Sequence, residues 1–229
     1  MKRAPSEERP EEQLDYAIQQ IISKAVASEG IVDLFAAAGL RKPDLSILSD
    51  EFLAEVREMP HKNLAVEVMR KLLEGEIKVR QRKNLVQARS FAEMLEKTIR
   101  RYQNRAVEAA QVIEELIALA REMREADKRG EQLGLSDEEL AFYDALQASG
   151  SVAQVLSEPT LKRIAQEIVQ TVRRNITIDW ARRENVRAHL RRLVKRILRK
   201  HGYPAEQYEQ VAETVLEQAQ LFADEWAAA

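Results

Sequence analysis

Two arginine-rich segments carry the residue types best able to do chemistry in this chain. The first is Arg100-Arg101-Tyr102-Gln103-Asn104-Arg105, which sets guanidinium groups on both sides of an aromatic ring. Guanidinium groups donate paired N–H bonds to phosphate oxygens, and an aromatic face can stack a nucleobase. The second segment includes Arg182, Arg183, Arg187, Arg191, Lys195, Arg199 and Lys200. That chemistry suits a phosphate backbone or an acidic protein surface. Each segment also has a structural alternative. Tyr102 falls on an apolar helical seam and reads as core, while the second segment precedes an acidic helix that could neutralise it.

Other chemistry is poorly supported by the residue pattern. The seven glycines are scattered and form neither GxxxxGK[ST] nor GxGxxG, so no phosphate cradle is expected. His61, His189 and His201 are not spaced as a metal-binding pair, and the chain has no Cys. Carboxylate pairs such as Glu114–Glu115 and Glu138–Glu139 lie on helix faces that read as solvated. No Ser stands in a nucleophile elbow. The expectation is a binding module with no catalytic residues, no metal and no cofactor of its own.

The elements that must position these charges read as helices. In 229 residues, 45% are hydrophobic, 32% charged and 5% aromatic, with few Gly and Pro, a balance that favours helix over sheet. The net charge of −2 conceals segregation. Eleven basic residues fall between Arg173 and Lys200, opposed by Asp179 and Glu184, whereas the last helix carries Glu206, Glu209, Glu213, Glu217, Asp224 and Glu225 with no Lys or Arg. No apolar run approaches the roughly 20 residues that span a bilayer, and the charged N-terminus lacks a signal-peptide pattern. A soluble, cytoplasmic protein is the expectation.

Residues 1–10, with Pro5 and Pro10 among charges, read as a disordered tail. Leu14, Ile18, Ile21, Ile22 and Ala25 then begin a helical stripe. Ser49 reads as an N-cap, with Asp50 and Glu51 in the first turn and the helix running to about Met59. A helix over about Asn63 to Glu74 is expected to break or kink at Gly75. Beyond it, Phe91, Leu95, Ile99, Tyr102, Ala106, Ala109, Ile113, Leu116, Ala120 and Met123 keep a heptad-like spacing. With no Gly or Pro between Glu76 and Arg129, one helix of about 80 Å is predicted at 1.5 Å per residue. Gly130 and Gly134 should end it, and Ser136 with Glu139 forms a capping box for a short helix. Further helices are expected over 159–174, over 180–201, and from Pro204 to about Trp226. The fold class is all-α, an elongated helical bundle built around a long central helix or helix pair.

Five segments taken together resemble a known family. They are GIVDLFAAAGLRKPDLSILSDEFLAEV (30–56), NLAVEVMRKLLEGEIK (63–78), RKNLVQARSFAEMLEKTIRRYQNRAVE (82–108), GLSDEELAFYDAL (134–146) and ITIDWARRENVRAHLRRLVKRILRKHGYP (176–204). In this order they resemble the C-terminal helical region of type I restriction endonuclease R (restriction) subunits, a likeness running from about Leu14 to Trp226. Ala181 after Trp180 and Ala205 after Pro204 depart from the pattern, which has Thr and Pro there.

The resemblance implies a fragment or separately encoded tail of a motor-nuclease subunit. Residues 11–60 would be the helical connector following the motor lobe, and 61–229 the C-terminal helical domain. The implied role is docking the translocase onto the methyltransferase (modification) and specificity subunits and bracing the motor domains. ATP and Mg would serve the whole subunit, not this chain. Two other readings remain: a non-specific element gripping duplex DNA, and a free-standing coiled-coil interaction protein. For the docking and DNA readings, the contact residues expected are Arg100, Arg101, Arg105, Arg182, Arg183, Arg187, Arg191, Lys195, Arg199 and Lys200.

Overall fold

The structure, a computed structural model, describes residues 49–148, 155–176 and 183–228, together with Val152 and Trp180. The expected tail and most of the connector (1–48), and Arg182, lie outside the described residues. Every regular element among those described is helical: α1 Asp50–Glu58, α2 Lys62–Gln81, α3 Leu85–Gln103, α4 Ala109–Leu133, α5 Asp137–Gln147, α6 Glu158–Asn175, α7 Glu184–Lys200 and, after a 3-10 turn at Ala205–Gln207, α8 Tyr208–Ala228. The all-α class is thus what the chain adopts.

The expected 80 Å helix is not there. Residues 76–129 fall in three helices, and the longest described helix, α4, has 25 residues. The first interruption follows α2: Asn84 Oδ1 accepts from the Gln87 backbone N–H at 3.0 Å and caps α3. The second follows α3, where Arg105 adopts φ 54°. The Ala106 N–H reaches the Arg101 carbonyl at 3.0 Å and the Arg105 N–H reaches Tyr102 at 2.9 Å. This pair of bonds is a Schellman ending, usually built on glycine because a Cβ disfavours positive φ. Gly134 closes α4 the same way, at φ 65° with Leu135 N–H to Gly130 O at 2.9 Å. The break expected at Gly75 does not occur. Helix α2 runs through that residue, and a Cβ there would meet nothing within 4 Å.

The caps read from sequence are present. Ser49 accepts from Phe52 N–H at 3.2 Å, and Ser136 and Glu139 bond reciprocally at 3.2 and 3.0 Å. The basic helix begins at Glu184 instead of Trp180.

The chain divides into two compact units, and it passes between them inside α2 after Gly75, inside α3 after Glu93 and inside α4 after Arg124. In the first (described parts 49–75 and 94–124), α1 buries Phe52, Leu53 and Val56, and α4 buries Ile113, Leu116, Ile117, Ala120 and Met123. Asp50 takes ion pairs from Arg124 at 2.9 Å and Arg121 at 3.4 Å, and Arg57 forks onto Glu114 with two 2.6 Å bonds, so α1 is cross-linked to α4 at both ends.

The second unit holds 76–93 and 125–228. Its core joins α5, α6, α7 and α8. On α6, Leu161, Ile164, Ala165, Ile168 and Val172 recur every three or four residues and are fully buried. Val211, Val215, Ala219, Phe222 and Trp226 of α8 are buried as the sequence pattern predicts. Phe142, Phe222 and Trp226 form an aromatic cluster with centroids 5.4–6.2 Å apart. Trp226 donates its indole N–H to Glu138 at 2.6 Å, which gives the ring's polar edge a partner.

Candidate interaction surfaces

Helix α7 carries its basic residues on two faces. Leu190, Val194, Ile197 and Leu198 bury the side facing the core, which fixes the helix's rotation. Arg187, Arg191 and Lys195 recur every fourth residue and therefore share one face. That face meets Glu209 and Glu213, also four apart, on α8. Arg187 bonds Glu213 at 2.5 Å, Arg191 bonds Glu213 at 2.7 Å, and Lys195 pairs with Glu209. The bond from Lys195 holds the Glu209 carboxyl below its ordinary value, and the bond to Glu213 raises Arg191. Lys200, at the end of α7, turns to α6 and pairs with Glu167 at 2.8 Å, joined there by His201 at 2.7 Å. His201 first and Lys200 second hold Glu167 low.

Four of the expected contact residues, Arg187, Arg191, Lys195 and Lys200, are thus tied to carboxylates of the same unit. Arg199 is exposed. So are Arg192 and Arg196, which were not among the expected contacts and which the structure places with Arg199. Arg183 stands at the N-terminal boundary of α7.

The other candidate cluster is dispersed by the α3–α4 turn. Arg100 pairs with Glu96 one helical turn back, and Arg101 bonds Glu115 at 3.1 Å. Tyr102 is half-buried and donates its hydroxyl to Asn63 Oδ1 at 2.6 Å. Arg105 occupies the left-handed turn position and is exposed. These groups do not converge on one phosphate-binding point.

Sequence reasoning missed a buried polar junction in the second unit. Asp144 accepts from the Asn84 amide at 2.7 Å and from Arg129 at 2.9 Å. Burial pushes its carboxyl above the usual range, and the opposing Arg129 and Asn84 restrain the rise. Beside it Gln218, fully buried on α8, accepts from the Leu85 N–H at 2.8 Å and donates to the Lys83 carbonyl at 2.9 Å. One amide therefore satisfies both an orphan donor at the start of α3 and a carbonyl of the turn before it. A cleft of about 340 Å³ opens nearby, lined in part by Val79, Arg80, Lys83, Asp127 and Asp137. Its charges are matched in place: Arg80 pairs with Asp127 at 2.5 Å and Glu76 at 2.8 Å, and Lys83 with Asp137 at 3.4 Å.

What the fold and surfaces define is an all-α region whose helices are cross-linked by ion pairs and whose basic helix has one acid-paired face. The protein-family model described as type I restriction enzyme HindI endonuclease subunit-like, C-terminal, matches residues 1–225. The chain belongs to that family. It is 36% identical over 208 residues to the type I restriction enzyme HindI endonuclease subunit of Haemophilus influenzae, covering 91% of this chain and 20% of that protein. It is 37% identical over 190 residues to a Methanocaldococcus jannaschii protein named for the MjaIXP type I restriction endonuclease subunit, covering 82% of this chain and 18% of that protein. The chain thus spans about a fifth of the length of these relatives. No solved structure matches it. Among the described residues no helix is long and apolar enough to cross a membrane.

Proposed function

We propose that this chain is the assembly region of a type I restriction endonuclease subunit. It docks the DNA-translocating and DNA-cleaving parts onto the modification and specificity subunits, in the cytoplasm. ATP and Mg act in those other parts of the subunit. Family membership supports the reading, because the relatives are named as subunits of a larger enzyme and this region is a fraction of each.

The observation that carries it is the ionic cross-linking of the helices. Asp50 with Arg121 and Arg124, Arg57 with Glu114, and the Glu209 and Glu213 pairs with α7 hold exposed and half-exposed side chains in place before any partner arrives. A surface ordered in advance loses less entropy on association, which at about 0.5–1.5 kcal/mol per immobilised side chain is a substantial gain in affinity. The coiled-coil reading loses its basis, since Phe91, Leu95, Ile113, Leu116, Ala120 and Met123 of the seam are buried within the chain.

The test is capture of a purified modification–specificity complex by the immobilised 229-residue chain, with and without duplex DNA. Capture in the absence of DNA is expected. No capture, or capture only when DNA is present, would contradict the docking role. The chain alone is expected neither to hydrolyse ATP nor to cut DNA.

A further inference from the structure

The acid-paired face of α7 accounts for Arg187, Arg191 and Lys195, and Lys200 is held by Glu167. What is left is a second stripe. Arg192, Arg196 and Arg199 stand at i, i+4 and i+7, so they lie along one side of the helix, about 100° round from the paired face. All three are exposed, and none has an acidic partner among the described residues. Arg192 adds only a 3.3 Å bond from Nε to the Ala188 carbonyl of its own helix. The stripe is about 10 Å long at 1.5 Å per residue. The helix that carries it is fixed in rotation by its buried side and by the Glu209–Glu213 rail.

We propose that this outer face of α7 binds the sugar–phosphate backbone of duplex DNA, with Arg192, Arg196 and Arg199 each neutralising a phosphate. What favours DNA over an acidic protein is the make-up of the stripe as a whole. It is all guanidinium, whose N–H fork fits phosphate and carboxylate oxygens alike and so does not by itself choose between them. It also lacks an apolar centre: among the described residues the exposed large apolar side chains are Val79, Met94 and Val155, none of them on α7. Protein interfaces bury an apolar, charge-depleted core inside a polar rim, whereas phosphate contacts need no such core. Contacts to the sugar–phosphate backbone carry no base information, so the contact is indifferent to sequence. The proposal is independent of the docking role, since a different surface can carry each.

The test uses the 229-residue chain and a labelled duplex of arbitrary sequence, with affinity measured by fluorescence anisotropy across a salt series. Each phosphate neutralised contributes about 0.9 to the slope of log affinity against log salt. Three contacts therefore predict a weakening of about 40-fold between 50 and 200 mM salt. The triple variant Arg192→Gln, Arg196→Gln, Arg199→Gln should lose about 2.7 from that slope while keeping the helical spectrum and melting temperature of the parent. A parallel variant, Arg187→Gln, should keep the slope. Absence of binding by the parent chain at low salt, an unchanged slope in the folded triple variant, or equal competition by polyglutamate of matched charge would each overturn the proposal.

Discussion

Two junctions in the second unit do the same job by opposite means. At the start of α3, Asn84, Asp144 and Gln218 are buried and the partly exposed Arg129 reaches in to Asp144, so that each buried group has a geometrically good partner. Between α7 and α8, Arg187, Arg191 and Lys195 face Glu209 and Glu213 at a half-exposed surface. The second junction has more charge, yet the first should matter more to folding. A buried donor or acceptor that loses its partner keeps its full desolvation cost, about 1–3 kcal/mol. An exposed ion pair competes with water and salt, and its loss typically costs about 1 kcal/mol or less. Charge abundance and energetic weight are therefore separable within one unit.

The sharpest break of this comparison is at Gln218. Gln218→Leu keeps the volume but strands the Leu85 N–H and the Lys83 carbonyl, and about 2–3 kcal/mol of stability should be lost in a denaturant titration. A loss no larger than that of a surface pair would erase the distinction between the junctions.

Asp144 sharpens it through pH. Its folded carboxyl titrates above the ordinary 3.8, so between that value and its own the folded state binds a proton that the unfolded state lacks. The stability this contributes is present below the ordinary value and is lost as pH rises through the folded one. Asp144→Asn stays neutral throughout and is exempt from that loss. The stability difference, parent minus variant, should therefore fall across this acidic window and then level off, read from unfolding midpoints at successive pH values. A difference independent of pH would show that Asp144 is not desolvated.

The smallest effect belongs to the surface rail. Glu213→Gln removes the pairs to both Arg187 and Arg191, yet it should cost only about 0.5–1 kcal/mol at low salt. At about 1 M salt, where screening acts within about 3 Å, the cost should nearly vanish. Salt-insensitive destabilisation would place this rail with the buried class.

How legible these features are depends on the distance over which they are encoded. The caps at Ser49 and Ser136 are local, and both are readable from residues three apart. The apolar face of α8 is readable for the same reason. The α2–α3 break also leaves a signal, Asn84 followed three residues later by Gln87, but the continuous seam beyond it outweighs that hint. The α3–α4 break leaves less, because Arg105 takes a conformation usually reserved for glycine and neighbouring bonds hold it there. The seam keeps its spacing across the turn because both helices bury that edge.

Gln218 stands three residues after Val215 and four before Phe222, on the apolar face of α8, so its burial leaves a local trace, but the groups it bonds lie 133 and 135 residues away and leave none. For the basic helix, composition is plain and the division of its charges is not. Arg187, Arg191 and Lys195 share the four-residue spacing of Glu209 and Glu213, but Arg192 and Arg196 are also four apart and Arg199 follows Lys195 by four, so residue order alone does not single out the paired face.

Assembly itself is tested most directly by competition. With a full-length endonuclease subunit and its modification–specificity partners mixed for sedimentation, an excess of this chain should displace the endonuclease subunit from the fast-sedimenting complex. Undiminished association at saturating chain would contradict the docking role.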